Sequence, residues 1–233
     1  MNNSSFKTKD GTSGFFDSYA DGFDSIYGTG NGFFQRWLNR HLRQSILLRF
    51  EYTLAGCLPA EGKSFLDVGC GPGHYSLALA QRGAKEVLGL DFAPAMIELA
   101  RAKARAAGLE KVCRYEVRDF FQLEDTEVFD SVIMMGFLDY IDDATSAVAK
   151  ALKHAGSSVF FSFPVSGGFW AWQRKLRYKR KCPLYLYSLE EIQDIFSSLE
   201  GVRYKIRKLK RDFWVRVDKL PMEDESTKNK PGS

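Results

Sequence analysis

Between residues 33 and 217 the chain alternates strongly apolar runs with amphipathic stretches. The largely apolar run Phe129–Met135 is typical of a central parallel strand that is covered on both faces. The stretch from Pro94 to Gly108 has the spacing of apolar positions that is typical of a helix. This alternation predicts a parallel sheet with crossover helices, which is an α/β fold.

The same pattern predicts where the strands and helices begin and end. The predicted strands are Ser64–Val68, Glu86–Leu90, Val112–Val117, Phe129–Met135 and Ser158–Phe163. The predicted helices are Phe33–Leu58, His74–Arg82, Pro94–Gly108, Asp143–His154 with its stop at Gly156, and a last one from Ser188 to near Gly201. Ser188 and Glu191 have the spacing of a capping box, and residues 202–208 and 213–217 predict a terminal hairpin.

The domain organisation is that of one folded unit with tails. Residues 1–14 and 218–233 are expected to be disordered, because they lack the apolar residues that offset the entropy of ordering. Residues 15–58 are expected to form an aromatic and helical lid segment at the N-terminal side, and residues 59–217 the main domain. Within that domain, residues 164–187 are expected to be an insertion.

Charge and cysteine content limit the kinds of partner and metal site that we expect. The net charge is +4, and basic residues concentrate in 174–181 and 203–211. These runs are either a solvated face or a surface for an anionic partner. The 4 cysteines lack the spacing of metal ligands, so reduced thiols and no metal are expected. No signal peptide and no long apolar run is recognisable, which predicts a cytoplasmic protein without a transmembrane segment.

The candidate chemistry begins at residues 65–74, FLDVGCGPGH. A buried strand delivers Asp67 and then Gly69, Gly71 and Gly73, and glycine allows a sharp turn and the close approach of a ligand. The dinucleotide fingerprint needs glycine where His74 stands, and no Lys-Ser/Thr pair follows for a triphosphate loop. Asp67 suits a ligand group that is cationic or rich in N–H, and S-adenosylmethionine has both a sulfonium and an amino group.

Two further acids follow the next two strands. Asp91 comes 24 residues after Asp67, where a carboxylate can accept hydrogen bonds from both hydroxyls of a ribose. Asp119 can accept from an adenine amino group while Phe120 covers the ring. Three acids that end three consecutive strands are expected to meet at one edge of the sheet.

The motifs LDVGCGPG, GLDFAPAMIELAR, RDF and FDSVIMMGFLDYI, within about residues 60–165, resemble the class I S-adenosylmethionine-dependent methyltransferase family. The resemblance implies a Rossmann-like, doubly wound, seven-stranded and mostly parallel sheet with an antiparallel C-terminal hairpin. It also implies S-adenosylmethionine as the cofactor of a methyltransferase.

By the same resemblance, the glycines line the methionine and ribose parts of the cofactor, and Asp91 holds the ribose. Phe92 and Met96 pack by the adenine, Asp119 and Phe120 bind its edge, and the backbone of Met135 flanks the methionyl group. Tyr19 and Tyr27 are candidates to close over the cofactor, or are core aromatics instead.

Methyl transfer from a sulfonium is an in-line displacement, so the enzyme must mainly orient the acceptor and exclude water. A base is needed only if the acceptor loses a proton, and His74, Asp139 and Tyr140 are the candidates. The catalytic residues are otherwise unknown.

The absence of the motifs of nucleic-acid base methylation argues against nucleic acid and favours a small-molecule acceptor. Residues 164–187, rich in basic and aromatic side chains, would cap an anionic, aromatic or lipid-like acceptor, touch a membrane surface peripherally, or simply pack on the sheet. An RNA methyltransferase and a non-catalytic S-adenosylmethionine-binding module remain open alternatives.

Overall fold

This computed structural model describes residues 33–168, 172 and 183–221, with side chains from residue 44 onward. The helices are α1 (Phe33–Cys57), α2 (His74–Ala80), α3 (Pro94–Ala106), α4 (Ala144–Lys153) and α5 (Leu189–Ser197). The strands are β1 (Ser64–Val68), β2 (Glu86–Asp91), β3 (Cys113–Val117), β4 (Phe129–Met134), β5 (Ala155–Pro164), β6 (Val202–Lys208) and β7 (Asp212–Lys219).

The strands form one seven-stranded sheet in the order β3-β2-β1-β4-β5-β7-β6. The first five are parallel, whereas β7 pairs antiparallel with both β5 and β6. This confirms the predicted fold class. Because β2 and β3 extend from one side of β1 while β4 and β5 extend from the other, the strand order reverses between β1 and β4, where open α/β sheets bind their ligands.

Both faces of the sheet are buried, which explains the apolar runs. Phe65 and Phe160 point into one core, together with residues of α1, α2 and α3. Their chain neighbours Leu66 and Phe161 point into the opposite core, together with residues of α4 and α5. Full burial of side chains of this kind stabilises the fold by about 1.5–3 kcal/mol each.

A polar chain fixes α1 to the sheet. The indole Nε1 of Trp214 in β7 donates to Thr53 Oγ1 at 2.9 Å. The Thr53 hydroxyl in turn lies 3.8 Å from the Met135 sulfur, beyond the end of β4. At Gly56 a Cβ atom would come within 2.5 Å of the Phe160 ring, so α1 lies directly against β5. The N-terminal helix therefore extends over the strands β4, β5 and β7.

The prediction that Gly156 stops α4 was wrong. The helix ends at Lys153, His154 is its C-cap, and β5 already begins at Ala155, so Gly156 lies in the strand. The physical reason is the pairing with β4, because Phe129 N–H donates to His154 O at 2.8 Å and Phe129 pairs with Ala155. A register shift between Phe129 and Ser131 accommodates this early start.

At the C-terminal end, β7 runs to Lys219, two residues past the predicted end of the domain at residue 217. Lys219 pairs with Val202, and Leu220 N–H donates to Gly201 O at 2.8 Å. Residues 1–14 and 222–233, to which the rest of the disorder prediction refers, lie outside the described residues. Within the described part of the chain, no helix combines the length and apolarity needed to cross a membrane.

The capping box of α5 is confirmed and generates a stability prediction. Ser188 Oγ accepts from Glu191 N–H at 3.2 Å, and the Glu191 carboxylate accepts from Ser188 N–H at 2.7 Å.

We expect Ser188→Ala to lower the free energy of unfolding by about 1 kcal/mol, measured by urea denaturation. Ser197→Ala, which removes an exposed hydroxyl at the other end of the helix, is the control. Equal losses in the two variants would contradict a capping role.

Candidate active site

The bend between β1 and α2 strongly favours glycine at three positions. Gly69, Gly71 and Gly73 have φ angles of +67°, +51° and +78°, the left-handed region that other residues adopt at a cost. A Cβ atom would lie 3.1 Å from the Phe137 ring at Gly69 and 2.5 Å from the Tyr115 hydroxyl at Gly73. At Gly71 it would meet no atom within 4 Å. The middle of the bend therefore offers its backbone to open space.

Asp91, at the end of β2, holds this bend in place. Its Oδ2 accepts from Gly71 N–H and its Oδ1 from Ala93 N–H, both at 2.9 Å. Cys70 N–H also donates to Leu90 O at 3.0 Å, so the bend is anchored to β2 at two successive residues. A carboxylate has about four acceptor positions, and these two bonds are therefore compatible with further hydrogen bonds from a ligand.

Asp67 lies beneath the bend, whereas the sequence predicted that its carboxylate faces a cationic ligand group. The residue is only 2% exposed, and its Oδ2 accepts from Ser76 N–H at 3.2 Å and from Ser76 Oγ at 2.6 Å. The Asp67 carboxylate is therefore withdrawn from the surface where a ligand cation would contact it. The carboxylate ties β1 to the first turn of α2, and burial raises its pKa to about 6, with a further contribution from the charge of Asp91.

The end of β3 is joined to the end of β2 through the backbone. Arg118 N–H donates to Asp91 O at 3.0 Å, and Asp119 Oδ1 accepts from Phe121 N–H at the same distance. Asp119 thereby caps a 3₁₀ turn, Phe120–Gln122, that the sequence pattern did not predict. Pairing registers place Asp67 opposite Gly89 and Asp91 opposite Val117, so the three acids lie in steps along one edge of the sheet.

The expected role of the Phe120 side chain needs correction. Its ring is 2% exposed and packs in the core against the rings of Phe137 and His154, with centroids 6.1 Å and 5.8 Å away. A ring held there cannot cover a ligand, which leaves only the backbone of Phe120 for a contact with one. The Phe120 ring is buried rather than exposed to a ligand because this turn packs in the core beneath α4.

The remaining predicted residues lie around the same edge. Met96 is 1% exposed inside α3, Met135 is 7% exposed just after β4, and Phe92 is half-buried after β2. Tyr19 and Tyr27 lie outside the described residues, as do residues 169–171 and 173–182 of the predicted insertion. Of the three candidate bases, His74 begins α2, and Asp139 and Tyr140 lie in a 3₁₀ turn after β4.

Sequence reasoning missed a buried polar cluster beside β4. Ser162 Oγ accepts from Gly136 N–H at 2.8 Å and from Arg49 Nη1 at 3.2 Å, and Arg49 lies 3.7 Å from the Asp212 carboxylate. The available signals were a lone charge in the run ILLRF and a lone hydroxyl in FFSFP. Neither signal could indicate that residues 49, 162 and 212 meet. No group of three potential metal-ligating side chains occurs among the residues with described positions.

Comparison with known proteins places this edge in context. A family model described as a methyltransferase domain matches residues 65–156. The ubiquinone biosynthesis O-methyltransferase of Stutzerimonas stutzeri is 37% identical over 103 residues, which cover 43% of this chain and 44% of that protein. The corresponding protein of Alkalilimnicola ehrlichii is 36% identical over 117 residues, covering 48% and 47%. The matches thus span less than half the length of these relatives.

A solved structure has the same fold. Magnesium protoporphyrin IX methyltransferase from Synechocystis, with bound SAH (S-adenosylhomocysteine), superposes with a TM-score of 0.69. The superposition covers 89% of this chain and 97% of that one at 21% sequence identity. At this identity the likeness concerns the fold alone, and it agrees with the strand order described above.

The buried carboxyl of Asp67 generates a prediction on pH. Its pKa is raised from 3.8 to about 6, so the unfolded chain ionises first and stability is lost as the pH rises through this window. Above pH 6 the whole cost is present, on the order of 3 kcal/mol. We expect the stability of Asp67→Asn, relative to the unmodified protein, to improve by up to that amount between pH 4 and pH 7.5, measured by urea denaturation.

Asp130→Asn is the matched control, because the pKa of Asp130 is shifted in the opposite direction. The hydrogen bond from the Ser64 backbone holds the pKa of Asp130 below its usual value, so its carboxylate stabilises the folded protein at the higher pH. This stabilisation is gained below about pH 4, where the carboxyl ionises, so the stability of that variant relative to the unmodified protein should stay nearly constant between pH 4 and pH 7.5. Parallel pH profiles for the two variants would refute the assignment of Asp67 as a buried carboxyl with a raised pKa.

Proposed function

We propose that this protein transfers the methyl group of S-adenosylmethionine to a small-molecule acceptor, because residues 65–156 match a family model described as a methyltransferase domain. The names of the matched relatives support an oxygen atom as the acceptor. The observation that carries the proposal is the bend at Gly71, which faces open space at the edge of the sheet and is held by Asp91.

The residues present fit an adenosyl sulfonium ligand. A Cβ atom at Gly71 would occupy space at the surface of the bend, so its absence lets a ligand approach the backbone closely. Asp91 stands beside this space with a carboxylate that can accept the ribose hydroxyls. Asp119 and the Phe120 backbone, one strand further along, are proposed to bind the adenine edge, with Phe92 beside the ring. Met96 was expected there too, but at 1% exposure inside α3 its side chain is withdrawn from a ligand, as the Phe120 ring is.

The negative charge of Asp67 is proposed to contribute to ligand binding from beneath the bend. Its carboxylate does not contact the ligand in this proposal, but it lies under the bend in a poorly solvated position, where electrostatic interactions are screened less than in water. A negative charge there favours a cationic ligand above the glycines. Gly69, Gly73 and the Met135 backbone are proposed to enclose the methionyl part, with Tyr19 closing from the N-terminal segment.

The bound S-adenosylmethionine supplies a methyl group that its sulfonium has already activated. The chain must therefore hold the acceptor oxygen on the axis of the methyl–sulfur bond and keep water away, and orientation of this kind is worth about 7–11 kcal/mol. The carboxyl ends of β4 and β5 are where the acceptor would lie, because β1, β2 and β3 carry the cofactor groups. A hydroxyl acceptor also needs a proton acceptor, for which Asp139, His74 and Tyr140 remain the candidates.

Asp91 provides the direct test. We expect Asp91→Ala to raise the Kd for S-adenosylmethionine by about 100-fold or more, since two hydrogen bonds to a charged acceptor are lost. Isothermal titration calorimetry measures the effect, and Asp125→Ala, which removes an exposed carboxylate paired with Lys150 and Lys153, serves as the control. NAD should not raise the Tm of the protein.

Two results would count against the proposal. Unchanged affinity in a folded Asp91→Ala variant would show that the ribose is not held at β2. Tight binding of S-adenosylmethionine, with no methylated product by mass spectrometry across a broad panel of phenols and carboxylic acids, would favour a non-catalytic binding module instead.

A further inference from the structure

Asp67 carries a buried negative charge that no described residue balances. The residue is only 2% exposed, and its two hydrogen bonds come from the N–H and the hydroxyl of Ser76, at 3.2 Å and 2.6 Å. Both donors are neutral, and Asp67 forms no ion pair within the described part of the chain. The charge of Asp91 acts on it, but that charge has the same sign. Among the described residues, the carboxylate therefore has no counter-ion.

Most other titratable groups around Asp67 cannot supply a positive charge. His74, which begins α2, is the exception, because a histidine can change its charge between pH 5 and pH 7.5. Three thiols and one phenol from α1, the bend and β3 stay neutral in that range, since burial raises the pKa of each: Cys57, Cys70, Cys113 and Tyr115.

Asp67 lies in the strand between the two halves of the proposed cofactor site. It is in register with Gly89 of β2 on one side and with Ile133 of β4 on the other. The ribose is proposed to bind after β2, and the methionyl part after β4. The sulfur atom joins these two parts of S-adenosylmethionine, so we expect it above the end of β1. Asp67 is the charge beneath that place.

The bend has an inner side that faces this charge and an outer side that faces open space. A Cβ atom at Gly73 would lie 2.5 Å from the hydroxyl of Tyr115, and the charge of Asp67 contributes to raising the pKa of that hydroxyl. At Gly71 a Cβ atom would meet nothing within 4 Å. Charges interact more strongly across such a poorly solvated layer than they do in water.

The carboxylate of Asp67 lowers the stability of the folded protein. Burial raises its pKa to about 6, and an unpaired charge inside a protein is destabilising unless a ligand or another residue compensates it. Natural sequences keep such groups mainly at functional sites, where they are needed for activity. A cationic ligand group above the bend would supply the compensating charge.

We propose that Asp67 is a specificity-determining residue that makes the bend select the charged sulfonium of S-adenosylmethionine over the uncharged thioether of adenosylhomocysteine. The proposal rests on the proposed methyl transfer and assigns to this chain a preference for the methyl donor over the by-product. Both ligands carry the same amino group and carboxylate, so the charge on sulfur is the difference that Asp67 detects. Once the methyl group is transferred, its bonding electron pair stays on the sulfur, and the attraction to Asp67 ends.

The test compares the Kd values of three ligands, measured by isothermal titration calorimetry between pH 5 and pH 7.5. They are S-adenosylmethionine, adenosylhomocysteine and sinefungin, an analogue with a protonated amine in place of the sulfonium. The variant is Asp67→Asn, which keeps the shape of the side chain and an acceptor for Ser76 but lacks the charge. Asp130→Asn is the matched control, because Asp130 accepts from Ser64 N–H at the opposite end of β1.

In the unmodified protein we expect the ratio of the adenosylhomocysteine Kd to the S-adenosylmethionine Kd to rise about 5-fold from pH 5 to pH 7.5. A cation above the bend lowers the pKa of Asp67 below about 6, and lowering it by one pH unit corresponds to a tenfold gain in affinity for the ionised protein. This gain is lost as the pH falls through that value.

In Asp67→Asn the same ratio should fall about 10-fold at pH 7.5 and should no longer depend on pH. Sinefungin should follow S-adenosylmethionine, since it carries the same charge at nearly the same place. The control Asp130→Asn should change the ratio less than about 2-fold, because its charge is exposed and remote from the bend.

Several outcomes would overturn the inference. One is an unchanged ratio in a folded Asp67→Asn variant, and another is a ratio in the unmodified protein that stays constant with pH. Equal losses for the two ligands would assign the charge to the amino group that they share, and a pH dependence that persists in Asp67→Asn would assign it to His74 instead.

If Asp67→Asn does not fold, the pH dependence of the ratio in the unmodified protein decides, with sinefungin as the second cationic ligand. Failure of the unmodified protein to bind any of the three ligands is a different result, since it removes the proposed function itself.

Discussion

The geometry of the site depends on backbone N–H groups that are bound by two buried or half-buried carboxylates. Asp91 binds the N–H of Gly71 from the end of β2, and Asp67 binds the N–H of Ser76 from within β1. The bend and the first turn of α2 are therefore fixed between two neighbouring strands. Left-handed φ angles along the bend are costly for other residues, so glycine holds this shape at the lowest cost.

The sheet order gives this bend its functional position. The order reverses between β1 and β4, so α2 and the crossover after β4 lie on opposite sides and leave a crevice at the carboxyl edge. Acidic groups stand on the β2 and β3 side of that crevice, and the cation of Arg49 stands on the β4 and β5 side. The carboxyl edge thus has the Asp91 and Asp119 carboxylates after β2 and β3 and a largely buried ion pair, Arg49 with Asp212, beside the ends of β4 and β5.

Most of the fold was predictable because its signals are local. The largely apolar strands β1 and β4, Gly108 after α3 and the capping box at Ser188 each depend on residues close in the sequence. The exceptions lie where a distant partner decides. Ala155 joins a strand because Phe129 pairs with it, and Lys219 stays in β7 because Val202 lies opposite.

The sequence by itself determined the α/β class, the glycine bend and the presence of acids after three successive strands, since short-range spacing and backbone sterics fix these features. Only the tertiary structure decided what each side chain does. Burial turned Asp67 towards Ser76 and placed the Phe120 ring in the core, and packing of α1 on the sheet brought Arg49 to Ser162. These contacts join residues from 9 to 113 positions apart and leave no periodic trace in the chain, so only the folded arrangement reveals them.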